Sequence, residues 1–111
     1  MIKVKVTLYL ISIKRLALLS KDVEFYALPR MGEWVKLRNE KMGDYFPFRI
    51  AEVTHREGSL PEIMLQPLME NETEYEYFEE DELDEYIESY KIEGWSLESV
   101  KENKAFINKE T

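Results

Sequence analysis

His55 is the one histidine of the chain, so any histidine-dependent catalysis would rest on it. Glu57 and Ser59 follow it closely, but a general base and a nucleophile must meet in space, which nearness along the chain does not ensure. Zinc sites need several imidazole or thiolate ligands, and the chain has no cysteine. We therefore expect a structural or surface histidine, and we predict no catalytic residue, metal site, cofactor or enzyme activity.

Carboxylates are concentrated in one segment. Residues 70–90 contain eleven acidic and no basic residues, whereas residues 1–69 contain eleven basic and eight acidic residues. The segment lacks the spacing of a calcium-binding loop, and no two acids are singled out as a hydrolase pair. It is interpreted either as a solvated helix face or as a docking surface for a protein partner with a basic surface. The candidate partner-binding residues are Glu80, Asp81, Asp84, Glu85 and Glu88.

Basic and aromatic residues of the first two thirds suggest a second chemistry. Cations neutralise phosphates and aromatic rings stack on bases, a combination typical of modules that bind single-stranded nucleic acid. The candidate residues are Arg30, Trp34, Lys36, Arg38 and Arg49, with Tyr45 and Phe46 for stacking and Lys3, Lys5 and Arg56 for charge. The net charge of −8 opposes this interpretation, because nucleic-acid-binding domains are usually basic. Nucleic-acid binding is therefore the alternative to protein-partner binding.

The segments that must position these residues have the pattern of strands. Residues 2–13, 23–28 and 33–38 alternate apolar with polar side chains. Residues 20–22 are predicted to be a turn, and residues 39–44 a loop.

The later strands carry two irregularities. Within residues 45–56 the apolar phase changes between Ile50 and Ala51, which predicts a β-bulge. Residues 62–69 are predicted to be a strand, with Pro67 placing part of it at a sheet edge.

In the last third of the chain, the apolar residues recur at helical spacing instead of alternating as in a strand. Leu83, Tyr86, Ile87 and Tyr90 share one face of a predicted helix over about 79–92, and Gly94 is placed to end it. One or two strands are expected over 95–108.

These elements predict an α+β fold. It is a strongly bent, mostly antiparallel sheet of roughly five to seven strands, or a partly open small barrel, with one packed acidic helix. Residues 1–111 are expected to form a single domain, with a β-rich body over 1–78. The apolar run in residues 6–13 is interrupted by Lys14 and Arg15, which is not typical of a signal peptide, so we expect a cytoplasmic protein that is not bound to a membrane.

Two segments resemble small uncharacterised β-rich proteins of bacteria and phages. One is LPRMGEWV at residues 28–35, followed by FRIAEVTH at residues 48–55, and the other is GWSLESV at residues 94–100, after the helix. The resemblance implies a β-rich domain with one packed helix and no particular activity. Taken together, the sequence predicts a small non-catalytic accessory domain that binds a protein partner. Whether it is a monomer or a homodimer stays open.

Overall fold

A computed structural model describes residues 1–38, 45–67 and 77–104. They form β1 (Ile2–Ile11), β2 (Arg15–Phe25), β3 (Trp34–Arg38), β4 (Tyr45–Thr54), β5 (Glu62–Leu65), α1 (Glu80–Ile92) and β6 (Ser96–Glu102). The predicted α+β class is therefore confirmed. Within these three ranges, no helix is both long and apolar enough to cross a membrane.

The strands form one mixed sheet in the order β3-β4-β5-β1-β2-β6. β4 pairs antiparallel with both β3 and β5, whereas β1 and β5 run parallel. The order leaves β3 and β6 at the two ends, so the sheet of the described strands is open. The expected barrel is not confirmed.

Two details of the strand prediction are wrong. The predicted turn at residues 20–22 lies inside β2, where Ser20 is buried, because pairing within a sheet overrides the turn preference of a short polar run. Pro67 does not mark a sheet edge, since β5 ends at Leu65 and lies between β4 and β1. The predicted loop at residues 39–44 and the strand predicted at the end of residues 95–108 fall outside the described residues, in whole or in part.

The bulge predicted in β4 is confirmed. Ile50 pairs with Leu65 and Glu52 pairs with Met64, so Ala51 is the additional residue on the bulged strand. This explains the phase change, because Ile50 remains fully buried while the alternation restarts after it.

Contacts divide the chain into two units. The first comprises Met1–Leu8 and Ser20–Gln66, and the second comprises Tyr9–Leu19 and Pro67–Thr111. Among the described residues, the buried apolar side chains of the first unit are Val4, Val6, Leu8, Val35, Leu37, Phe48, Ile50, Ile63 and Leu65. Those of the second unit are Leu10, Ala17, Leu19, Phe78, Leu83, Ile87, Tyr90 and Trp95.

The helix of the second unit follows its sequence signals. Glu79 precedes the first turn, and its backbone N–H donates to the carboxylate of Glu82 at 3.4 Å. The chain leaves α1 through Gly94 at a φ of 96°, a left-handed conformation that glycine adopts readily. The predicted helix over about 79–92 is thus confirmed.

Candidate functional site

Two acidic residues of α1 are bound to Arg15, the first residue of β2. Arg15 Nε donates to Glu80 Oε2 at 2.7 Å, and Nη1 donates to Asp84 Oδ1 at 2.9 Å. Nη2 donates to the backbone oxygen of Glu80 at 2.8 Å. One guanidinium therefore ties the N-terminal part of α1 to the start of β2 through three hydrogen bonds, two to carboxylates and one to a backbone oxygen.

The turn between β1 and β2 binds the same carboxylate. The hydroxyl of Ser12, which is fully buried, donates to Glu80 Oε1 at 2.6 Å, and the Lys14 N–H donates to this oxygen at 3.1 Å. The Ser12 hydrogen bond, followed by those from Arg15 and Lys14, lowers the pKa of Glu80 because it stabilises the charged carboxylate. Glu80 is therefore held by the turn between β1 and β2, and we call Ser12, Arg15, Glu80 and Asp84 the helix clamp.

The other three candidate partner-binding residues are Asp81, Glu85 and Glu88. They are exposed at positions i, i+4 and i+7 of α1 and so share one side of the helix. Asp81 accepts a hydrogen bond from the Glu82 N–H at 3.1 Å, and Glu88 accepts one from Lys91 Nζ at 3.2 Å. We call these three residues the acidic stripe. It is smaller than the five-residue surface expected from the sequence.

In the first unit, β3 and β4 present a different surface. Opposite residues of this pair are Trp34 with Arg49, Lys36 with Pro47, and Arg38 with Tyr45, and all six are exposed. They alternate along each strand with side chains of the opposite phase, among them the buried Val35, Leu37 and Phe48. We call the six exposed residues the cation–aromatic face. Its described members include three cations and no acid.

Each aromatic ring of this face has an arginine beside it. Arg49 Cζ lies 6.0 Å from the ring centroid of Trp34, and Arg38 Cζ lies 5.9 Å from that of Tyr45. Arg49 Nε also donates to the Gly32 oxygen at 3.2 Å. The side chains of Trp34 and Tyr45 are 65% and 54% exposed, so large aromatic surface remains open to solvent. Clustered exposed aromatic surface of this kind is typical of interaction sites.

The remaining candidates lie outside this face. Arg30 is exposed in the segment before β3, and its backbone N–H donates to the carboxylate of Glu33 at 2.6 Å. Phe46 has the opposite phase on β4 to Tyr45, and its ring lies 5.0 Å from that of Phe48. Phe46 is therefore not part of the stacking surface that the sequence suggested.

A cavity of about 310 Å³ in the first unit is lined by two further candidate nucleic-acid-binding residues, Lys5 and Arg56. Its other lining residues are Asp22, Ser59, Leu60 and Glu62. Arg56 Nη1 lies 3.6 Å from Glu62 Oε2, and the two basic and two acidic side chains balance in charge. His55 is exposed in the loop after β4. Across the described ranges, no group of three or more histidine, aspartate or glutamate residues is arranged to hold a metal ion.

Three residues of these sites were not singled out from the sequence, namely Ser12, Arg15 and Pro47. Pro47 shares the phase of Tyr45 and Arg49, so period-two alternation would have placed it on the cation–aromatic face. Arg15 carried no local signal, because its partner Glu80 lies 65 residues away. Searches against known protein families, curated proteins and solved structures found no match to this chain.

Proposed function

We propose that the protein binds single-stranded nucleic acid through the cation–aromatic face. The strongest support is the register of β3 and β4, which brings two exposed rings and three cations onto one surface. Lys36, Arg38 and Arg49 contact phosphates while bases stack on Trp34 and Tyr45. A single strand fits better than a duplex, because a base must be unpaired to stack on a side-chain ring.

The net charge of −8 weakens the attraction between the protein and a nucleic-acid strand, but it does not by itself determine whether the strand binds. Repulsion between exposed charges is screened beyond about 8–10 Å at physiological ionic strength. Phosphates that touch the cation–aromatic face lie closer than that to its cations. We expect these short-range contacts to outweigh the repulsion, which mainly slows the approach of the strand at low salt.

A titration followed by tryptophan fluorescence tests the proposal. The chain has two tryptophans, and Trp95 is only 4% exposed, so quenching by an added oligonucleotide reports on Trp34. We expect oligothymidylate to quench the fluorescence at low salt. For three phosphate contacts, the slope of log affinity against log salt is about −2.

Charge reversal separates the face from the rest of the chain. The double variant Arg38→Glu/Arg49→Glu should abolish binding, whereas Trp34→Ala should weaken it by about 1–3 kcal/mol, measured by anisotropy of a labelled strand. The matched control is Lys101→Glu/Lys104→Glu, which makes the same change in net charge at exposed positions that belong to none of the candidate nucleic-acid residues. A flat titration at low salt, or equal losses in both double variants, would reject the proposal.

The acidic stripe supports a second candidate function, the capture of a protein with a basic surface. Its support is the exposure and common side of Asp81, Glu85 and Glu88. It ranks second because Glu80 and Asp84 are engaged by Arg15, and exposed acidic helix faces are commonly only solvated.

The second candidate has its own test. The triple variant Asp81→Asn/Glu85→Gln/Glu88→Gln removes the stripe while leaving the helix clamp intact, so loss of capture is not confused with loss of folding. Capture of a basic protein by the wild type and not by the triple variant supports this function. Equal capture by both excludes the stripe as the docking surface.

A further inference from the structure

A local two-fold axis relates the two strands of the cation–aromatic face. Opposite residues in an antiparallel pair are exchanged by an axis perpendicular to the sheet, and here one such axis passes between Lys36 and Pro47. It exchanges position 34 with 45 and position 38 with 49. The first two positions hold Trp34 and Tyr45 and the other two hold arginines, so the chemical pattern follows the symmetry of the backbone.

The axis divides the face into two half-sites of the same composition. One consists of Trp34 and Arg49 and the other of Tyr45 and Arg38, with ring-to-guanidinium distances of 6.0 and 5.9 Å. Each half-site offers one stacking ring and one forked cation, which complement one base and one phosphate. The half-sites are four residues apart along β3, which is about 13 Å at ~3.3 Å per residue.

We infer that the face binds a short single strand through both half-sites at once, and in either polarity. Because turning the strand end for end only exchanges the two half-sites, neither direction has a half-site contact that the other lacks. The inference rests on the proposed function, since it concerns how the same face holds its strand. Trp34 differs from Tyr45, and the axis exchanges Lys36 with Pro47, so the two orientations have similar rather than identical affinities.

The absence of cysteine from the sequence allows a direct test of polarity. Met31 is 71% exposed and lies in the turn before β3, near the half-site of Trp34 and Arg49. A fluorophore on Met31→Cys is titrated with an oligothymidylate of about five nucleotides that carries a quencher at its 5′ end or its 3′ end. We expect similar quenching at saturation with the 5′-labelled and the 3′-labelled oligonucleotide. Strong quenching by only one of them would overturn the inference and leave the proposed function standing.

A second measurement tests the equivalence of the half-sites. Arg38→Gln and Arg49→Gln should each lower the affinity by a similar factor, and the double variant should lower it by their product, because sites more than about 7–10 Å apart usually act independently. Trp34→Ala and Tyr45→Ala should each lower it by about fivefold or more. If only the variants of one half-site lose affinity, this inference is overturned but the proposed function is not. Failure of the wild type to bind any strand would overturn the proposed function as well.

Discussion

Ser12 shows how one small polar side chain organises its surroundings. Its fully buried hydroxyl donates to Glu80 and accepts a hydrogen bond from the Arg15 N–H at 2.9 Å, while its backbone oxygen accepts one from Asn103 Nδ2 at 2.9 Å. Buried polar groups are tolerated when they are hydrogen-bonded, and each of these groups has a partner. The serine therefore connects the turn after β1 to both α1 and the end of β6.

Glu80→Gln should destabilise the protein in a pH-dependent way. The amide cannot accept the hydrogen bond from Arg15 at the position of its NH₂ group, and we expect a loss of about 1 kcal/mol at pH 7, a modest value because the side chain is partly exposed. The pKa of Glu80 is lowered from 4.5, so its contribution is complete above that value and disappears as the pH falls through the lowered pKa. Urea unfolding of both proteins from pH 7 to pH 3 measures the difference.

The control for this prediction is Glu85→Gln. Glu85 lies on the same helix and is exposed. This variant should match the wild type in unfolding free energy across the same pH range. A difference between wild type and Glu80→Gln that stays constant down to pH 3 would contradict the role assigned to the carboxylate charge.

Tyr90 should make the protein less stable at alkaline pH. Burial raises the pKa of its hydroxyl to about 12 from 10.0, so the stability that the neutral group contributes is present below pH 10 and is lost as the pH rises through 12. In that window the unfolding free energy should fall by roughly 1 kcal/mol per pH unit, and less in Tyr90→Phe. Urea unfolding between pH 9 and pH 11 measures the slope. Tyr26→Phe, at a 92% exposed position, should keep the wild-type slope, and a slope unchanged in Tyr90→Phe would disprove the assignment.

At the scale of elements, the structure of α1 follows its sequence pattern, with Tyr86 of the predicted face half-buried rather than buried. Leu83, Ile87 and Tyr90 are buried, and the ring centroid of Tyr90 lies 5.7 Å from that of Trp95 in an edge-to-face arrangement. Most helix stability in proteins comes from such burial of one face rather than from intrinsic propensity.

Two isoleucines of α1 allow a matched test of how much burial stabilises the helix. Ile87 is 5% exposed and Ile92 is 85% exposed. Ile87→Ala should lower the unfolding free energy by about 2–5 kcal/mol through lost burial and the cavity that it leaves. Ile92→Ala should change it by less than about 0.5 kcal/mol. Similar losses for the two variants in urea unfolding would show that the described face of α1 is not what holds the helix in place.

Local sequence patterns predict where each strand or helix lies better than they predict which strands are neighbours in the sheet. Period-two alternation located β1, β3 and β4, and the phase change at Ile50 predicted the bulge, because both depend only on residues close in sequence. The Ser20–Asp22 triplet has the composition of a turn, whereas the pairing of β2 and the burial of Ser20 depend on strands that are distant in the chain. Pro67 was misplaced for a related reason, since no local feature shows that β5 lies between β4 and β1.

The candidate sites were likewise predictable only as far as local sequence patterns reach. Alternation alone places Trp34, Lys36 and Arg38 on one side of β3. The register that sets Arg49 opposite Trp34 depends on the length and path of the connection, which alternation does not contain. Glu80 and Asp84 looked equivalent to the other acids of α1, because their partner Arg15 is distant in sequence.

For the whole molecule, the acidic stripe should oppose nucleic-acid binding through its negative charge. Asp81→Asn/Glu85→Gln/Glu88→Gln removes three of the charges behind the net −8. We expect faster association with oligothymidylate at low salt, and rates equal to wild type near 1 M salt, where the screening length is about 3 Å. Stopped-flow quenching of Trp34 measures both. An unchanged rate at low salt would show that the charge of α1 does not influence the approach of the strand.

The hydrogen bonds of Asn103 have a consequence for the order of events during synthesis. They connect this residue to Ser12 and Lys14, and the bond to Ser12 spans 91 positions of the chain. Since translation proceeds at about 5–20 residues per second, the turn after β1 leaves the ribosome on the order of 10 s before its last partner is made. The second unit therefore completes its hydrogen bonds only after residue 103 has emerged, and until then the backbone oxygens of Ser12 and Lys14 lack their partner Asn103 and are left to water.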